Sequence, residues 1–151
     1  MTYTQNMSEH ISIMLIPEGD DSGRHLTLGY FGTRDLPSAP SLEEVSRAAS
    51  RLVLHYPAIV KAKINGTGIF NLPDATYAYV DLVDSLEIEA LRNTMLNYIR
   101  PYSEHGFIPH MTKQFTETPF IVAPTVTRDI VFDRIRASHG NMYIDYGLAR
   151  V

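Results

Sequence analysis

The sequence predicts a single α+β domain spanning residues 1–151, and three observations carry that prediction. Apolar runs of strand length alternate with loops rich in Gly, Pro, Asp and Ser. Two segments have helical apolar spacing behind a serine that suits a helix cap. The two halves repeat one order of elements, each with strands, one helix and one strand opening with His-x-Thr. Together these predict two pseudo-symmetric antiparallel sheets forming a groove, with a helix on the outer face of each lobe.

Each element has a local reason. Residues 10–17 (HISIMLIP) are an apolar strand, and the polar stretch PEGDDSGR lets the next strand return beside it. Residues 25–31 form the second strand, ending at Gly32. After the loop DLPSAPSLEE, Ser41 and Glu44 have the spacing of a capping box. Leu42, Val45, Ala49, Leu52 and Val53 then recur at helical spacing, predicting an amphipathic helix over 42–55. Residues 58–70 and 76–83 read as strands with a turn at Asn71–Ala75. Ser85 caps a second helix, marked by Leu86, Ala90, Leu91, Met95 and Ile99, which Pro101 stops near Arg100. Residues 107–115, 129–138 and 141–148 read as strands, the last two joined at Gly140-Asn141.

The chemistry sits in two triplets, His25-Leu-Thr27 and His110-Met-Thr112. Side chains alternate along a strand, so each triplet places an imidazole and a hydroxyl on one face. Facing each other across a groove, they offer two imidazoles for general base and general acid, and two hydroxyls for non-bridging phosphate oxygens. His10-Ile-Ser12 is a looser match, and His10, His55, His105 and His139 are read as structural. His105 lies in a turn close enough to the second triplet to gate the groove.

With their flanks, HLTLGYFG and PHMTK, the triplets resemble those of the 2H phosphoesterase superfamily, which includes the 2′-5′ RNA ligase-like proteins. The first match comprises His25, Thr27, Leu28, Tyr30, Phe31 and Gly32, and the second Pro109, His110 and Thr112. Lys113 departs from the pattern, standing where the family usually has an apolar residue and pointing away from His110 and Thr112. The resemblance implies the bilobal fold, phosphodiester chemistry without cofactor, and catalytic roles for His25, Thr27, His110 and Thr112. Members of the superfamily act on RNA ends with 2′,3′-cyclic phosphate, ADP-ribose cyclic phosphate and 2′-5′ oligoadenylate. Viral members destroy cyclic oligonucleotide immune signals.

Composition narrows the field further. An apolar share of 44% and a charged share of 20% are those of a globular chain. The absence of cysteine removes disulfides, thiol nucleophiles and thiolate metal sites. No His-x-x-x-His or His-x-Asp spacing suggests a metal site, so none is expected. A net charge of −4 argues against long duplex nucleic acid as a partner and favours a small cyclic or short oligonucleotide. The first residues lack the basic region of a signal peptide and no run is long enough to span a bilayer. A cytoplasmic monomer with no membrane partner is the expectation.

Aromatic residues are the expected base contacts. Phe31 shares the face of His25 and Thr27 if the strand is regular. Tyr77 and Tyr79 share a face of their own strand, and Tyr3 lies on an N-terminal segment able to fold over a ligand. Lys61 with Lys63, and Arg134 with Arg136, read as solvated pairs that can also meet phosphate. Two readings compete with cleavage of a cyclic or short oligonucleotide. One is an RNA-end 2′,3′-cyclic phosphodiesterase or 2′-5′ RNA ligase-like enzyme; the other is a non-catalytic nucleotide-binding module.

Overall fold

The computed structural model describes residues 9–19, 23–102, 106–119 and 127–150. It is α+β, and the described residues form nine elements in the order β1 (His10–Pro17), β2 (Leu26–Thr33), α1 (Leu42–His55), β3 (Val60–Asn71), β4 (Tyr77–Asp84), α2 (Leu86–Met95), β5 (His110–Thr116), β6 (Arg128–His139) and β7 (Met142–Gly147). The capping box at Ser41 and Glu44 is present, and Ser85 accepts from the Ile88 amide. α2 ends earlier than its apolar spacing predicts. Its chain tightens instead, with the Tyr98 amide donating to the Met95 carbonyl at 2.9 Å. Pro101 disfavours helical conformation in the residue before it. Pro109 likewise delays β5 to His110, although its carbonyl accepts from the Val83 amide at 3.0 Å.

All named strand pairings are antiparallel. The order is β1-β2-β5-β4-β3-β6-β7, with β6 also paired to β1. The first six strands therefore form a closed hydrogen-bonded circuit rather than two separate sheets. Long β6 creates it. Residues 128–132 pair with β3, and most of the remainder pairs with β1 on one edge and β7 on the other. Two four-stranded units result, β2-β1-β6-β7 and β5-β4-β3-β6, sharing β6. Their other junction is slight: β2 and β5 are joined through the single partner pair Leu26↔Met111.

One core serves both units. Ile11, Ile13 and Leu15 of β1, Leu26 and Leu28 of β2, Ile64 of β3 and Ile135 of β6 are fully buried with Val45 and Leu52 of α1 and Ile88 of α2. α1 packs on β1, β6 and β7. α2 touches β2 of one unit, β3 of the other and α1. The helices thus share a core instead of each capping its own lobe. On the opposite face, Met14, Ile16, Ala78 and Val80 are also buried, outside that core. The sheet therefore buries apolar side chains on both of its faces.

Candidate active site

The two triplets meet on the face away from the core. Leu26 and Met111 point into the core as partners. Extending that antiparallel register by one residue each way sets Thr27 opposite His110 and His25 opposite Thr112. All four side chains then share the face away from the core. Thr27 and His110 line one cleft, and His110 acts electrostatically on His25.

The two imidazoles are held in the same way. His25 Nδ1 donates to the Gly23 carbonyl at 3.1 Å, and His110 Nδ1 donates to the Ile108 carbonyl at 2.7 Å. In each case the acceptor is two residues upstream. A backbone acceptor on Nδ1 selects the tautomer that leaves the Nε2 lone pair available. Burial pushes both imidazoles below their ordinary pKa of 6.5, opposed in each by the backbone hydrogen bond. His25 is lowered further by the positive charge of Arg136 and by His110. That electrostatic link ties the two motifs and β6 together. The ring of Phe70 meets His110 edge-on with centroids 4.6 Å apart.

Arg136 lies in a row of pairings across the first unit: Thr27↔Met14, Met14↔Arg136 and Arg136↔Asp145. Beside Thr27 and His110, where β2 parts from β5, a cleft is lined by Tyr30, Arg92, Phe107 and Ile108. Arg92 donates to the Leu28 carbonyl and stacks over Phe107 at 5.0 Å. Burial lowers its pKa, as expected for a cation partly removed from water.

The aromatic expectations need correction. Phe31 is 3% exposed and belongs to the core, not the groove. The β1–β2 register shifts between Ile13 and Met14, where Gly29 and Thr27 are successive partners. The extra residue, Leu28, reverses the alternation beyond it. Tyr30, partnered with Ser12, takes the place on the site face that regular alternation gives to Phe31. Tyr79 is 1% exposed on the face opposite its neighbour Val80, which partners Thr112. It cannot stack a base beside the histidines, and Tyr77 shares its face. Tyr3 and His105 lie outside the described residues. Tyr30, Phe70 and Arg92 near the histidines were not singled out by the sequence as groove residues. Arg92 offered no signal, occupying a polar position of a helix.

Lys113 is resolved by a partner. Its ammonium lies 3.8 Å from Asp81 on the reverse face, where Arg24 at 3.7 Å and Arg128 at 4.0 Å approach the same carboxylate. Asp81 is 1% exposed, so the lysine is accommodated by a buried charge. Among the described residues, no group of three or more His, Asp or Glu side chains is placed to hold a metal ion. No described helix is long and apolar enough to cross a membrane.

No protein-family model and no curated protein matches the sequence. Solved structures match it in shape. TT0787 of Thermus thermophilus superposes with a TM-score of 0.61 at 17% identity, covering 93% of this chain and 95% of that one. E. coli LigT, in a crystal structure complexed with 3′-AMP, gives 0.57 at 12% identity, covering 93% and 95%. The fold is that of the 2H phosphoesterases. A crystal structure of a phosphoesterase agrees, with a TM-score of 0.56 at 11% identity over 93% and 96% of the two chains. Each of these matches runs over 93% of this chain.

Proposed function

We propose that the chain is a phosphodiesterase in which His25 and His110 move protons and Thr27 and Thr112 hold the phosphate. The observation that carries this reading is the matched anchoring of two imidazoles, each through Nδ1 to the carbonyl two residues upstream, on adjoining strands. Two structural roles would not call for duplicate geometry around one patch. Similarity in fold to a phosphoesterase and to LigT supports the same chemistry.

In the proposed reaction His25 is the base. Arg136 and burial both favour its neutral form. Its Nε2 removes the proton from the attacking ribose 2′-hydroxyl. His110, charged while the anionic phosphate is beside it, donates a proton to the leaving oxygen. The hydroxyls of Thr27 and Thr112 donate to the non-bridging oxygens and stabilise the charge that grows there. Attack by the 2′-hydroxyl yields a 2′,3′-cyclic phosphate and releases the next 5′-oxygen. Attack by water opens such a ring, and the histidines exchange roles between the two steps.

The substrate in this reading is a small cyclic or short oligonucleotide. A net charge of −4 and a site built around one phosphate fit a compact ligand better than a long backbone. Action on RNA ends bearing a 2′,3′-cyclic phosphate is the second reading, and LigT with 3′-AMP bound favours it. A screen of cyclic di- and trinucleotides, 2′,3′-cyclic mononucleotides and 2′-5′ oligoadenylate, with products identified by mass, separates these. Binding without turnover of any of them would leave a nucleotide-binding module in place of an enzyme.

A further inference from the structure

The β6–β7 hairpin presents, on the face of the histidines, a prepared group that moves no proton itself. Arg136 Nε donates to Asp145 Oδ1 at 2.7 Å, and Nη2 donates to Oδ2 at 3.0 Å. This two-point pairing fixes the plane of the guanidinium while leaving three of its five N–H groups uncommitted to Asp145. The guanidinium carbon lies 4.1 Å from the centre of the Tyr143 ring. Tyr143 is 58% exposed. Its cross-strand neighbours on this face are small, Ser138 and then Ser12, so the ring stands clear of the sheet. Tyr30 closes the same row at its far end.

Position gives the pair its meaning. Arg136 is two strands from Thr27 along the pairing row, roughly 10 Å at ordinary strand spacing. A nucleotide whose phosphate sits at the histidines extends its base over that distance along the face. An ordered Arg–Tyr stack offers a base a flat, cationic π surface at small entropic cost. We infer that Arg136 and Tyr143, held by Asp145, form the platform on which the substrate's nucleobase stacks while its phosphate lies between His25 and His110. This rests on the phosphodiesterase reading and narrows it. The ligand is a nucleoside phosphate, and base-free sugar or alkyl phosphodiesters are poor substrates.

The test compares 2′,3′-cyclic AMP with methyl riboside 2,3-cyclic phosphate, which lacks the base. Tyr143→Ala should lower kcat/KM for the nucleotide about tenfold or more through KM, with kcat within about twofold and the base-free substrate unaffected. Tyr143→Phe should retain wild-type behaviour. Equal losses on both substrates, or none on either, would overturn the platform. If the wild type turns over neither, the platform is judged by titrating 3′-AMP and ribose 3-phosphate, and the phosphodiesterase reading by the wider screen of cyclic and short oligonucleotides. A selective loss of 3′-AMP affinity of about tenfold in Tyr143→Ala sustains it, and the lack of a selective loss overturns it.

Discussion

At the scale of the residue, the two imidazoles set the sharpest expectations. His25→Ala and His110→Ala should each reduce turnover by at least about 10², since each deletes a separate proton transfer. Thr27→Ala and Thr112→Ala should cost less, about 10–10³, the loss of one donor to a developing oxyanion. Near-wild-type turnover in a purified, folded histidine variant would sink the assignment. Both pKa values are lowered in the fold. The free enzyme therefore holds one neutral and one charged imidazole only on the acid side of pH 6.5, and the bell of kcat/KM should peak there. Stability follows the same sign. Below about pH 6.5 the unfolded chain takes up protons that the folded chain resists, so stability falls as pH falls through that value. Denaturant midpoints measured against pH should decline less steeply in a His25→Gln/His110→Gln variant. An identical slope would show that these rings are not displaced from their ordinary titration.

At the scale of the element, the strands carrying the triplets owe their alignment to side chains as well as backbone. β2 and β5 share a single partner pair, yet Arg24 beside one triplet and Lys113 beside the other both approach Asp81. Asp81→Asn keeps the shape and removes the charge. It should destabilise the protein by on the order of 1–3 kcal/mol and lower turnover as well. Urea titration and steady-state kinetics on the same preparation check both, and a stability loss with unchanged turnover would separate the clamp from the site. Helix α1, its capping box and β1 were legible residue for residue, because caps and periodicity are local signals. The common face of each triplet was legible too, because His and Thr two apart share a face in any strand. Which aromatic side chains stand on that face was not. A β-bulge depends on the partner strand, and the one near Leu28 moved Phe31 to the core and brought Tyr30 to the site face. Tyr79 was misplaced for another reason. Alternation in β4 was read correctly, but which face meets the histidines is settled only by pairing with β5.

At the scale of the molecule, the proposed chemistry is carried by side chains alone. Preincubation with EDTA should leave turnover unchanged. Loss of activity restored by zinc would contradict the two-histidine account. A ligand with a 2′-deoxyribose at the scissile position should bind but resist cleavage if the 2′-hydroxyl is the nucleophile. Equal cleavage of the ribose and deoxyribose forms would make water the attacking group.

The closed circuit of strands also sets a timetable. β1 is flanked by β2, its neighbour in the chain, and by β6, where Ile11 finds His139 across almost the entire sequence. Contacts of such span close late, because the intervening chain must be ordered first. A ribosome that has already extruded both triplets therefore still holds β6, the strand bearing Arg136, in its exit tunnel. The two halves close around β6 only after it has emerged.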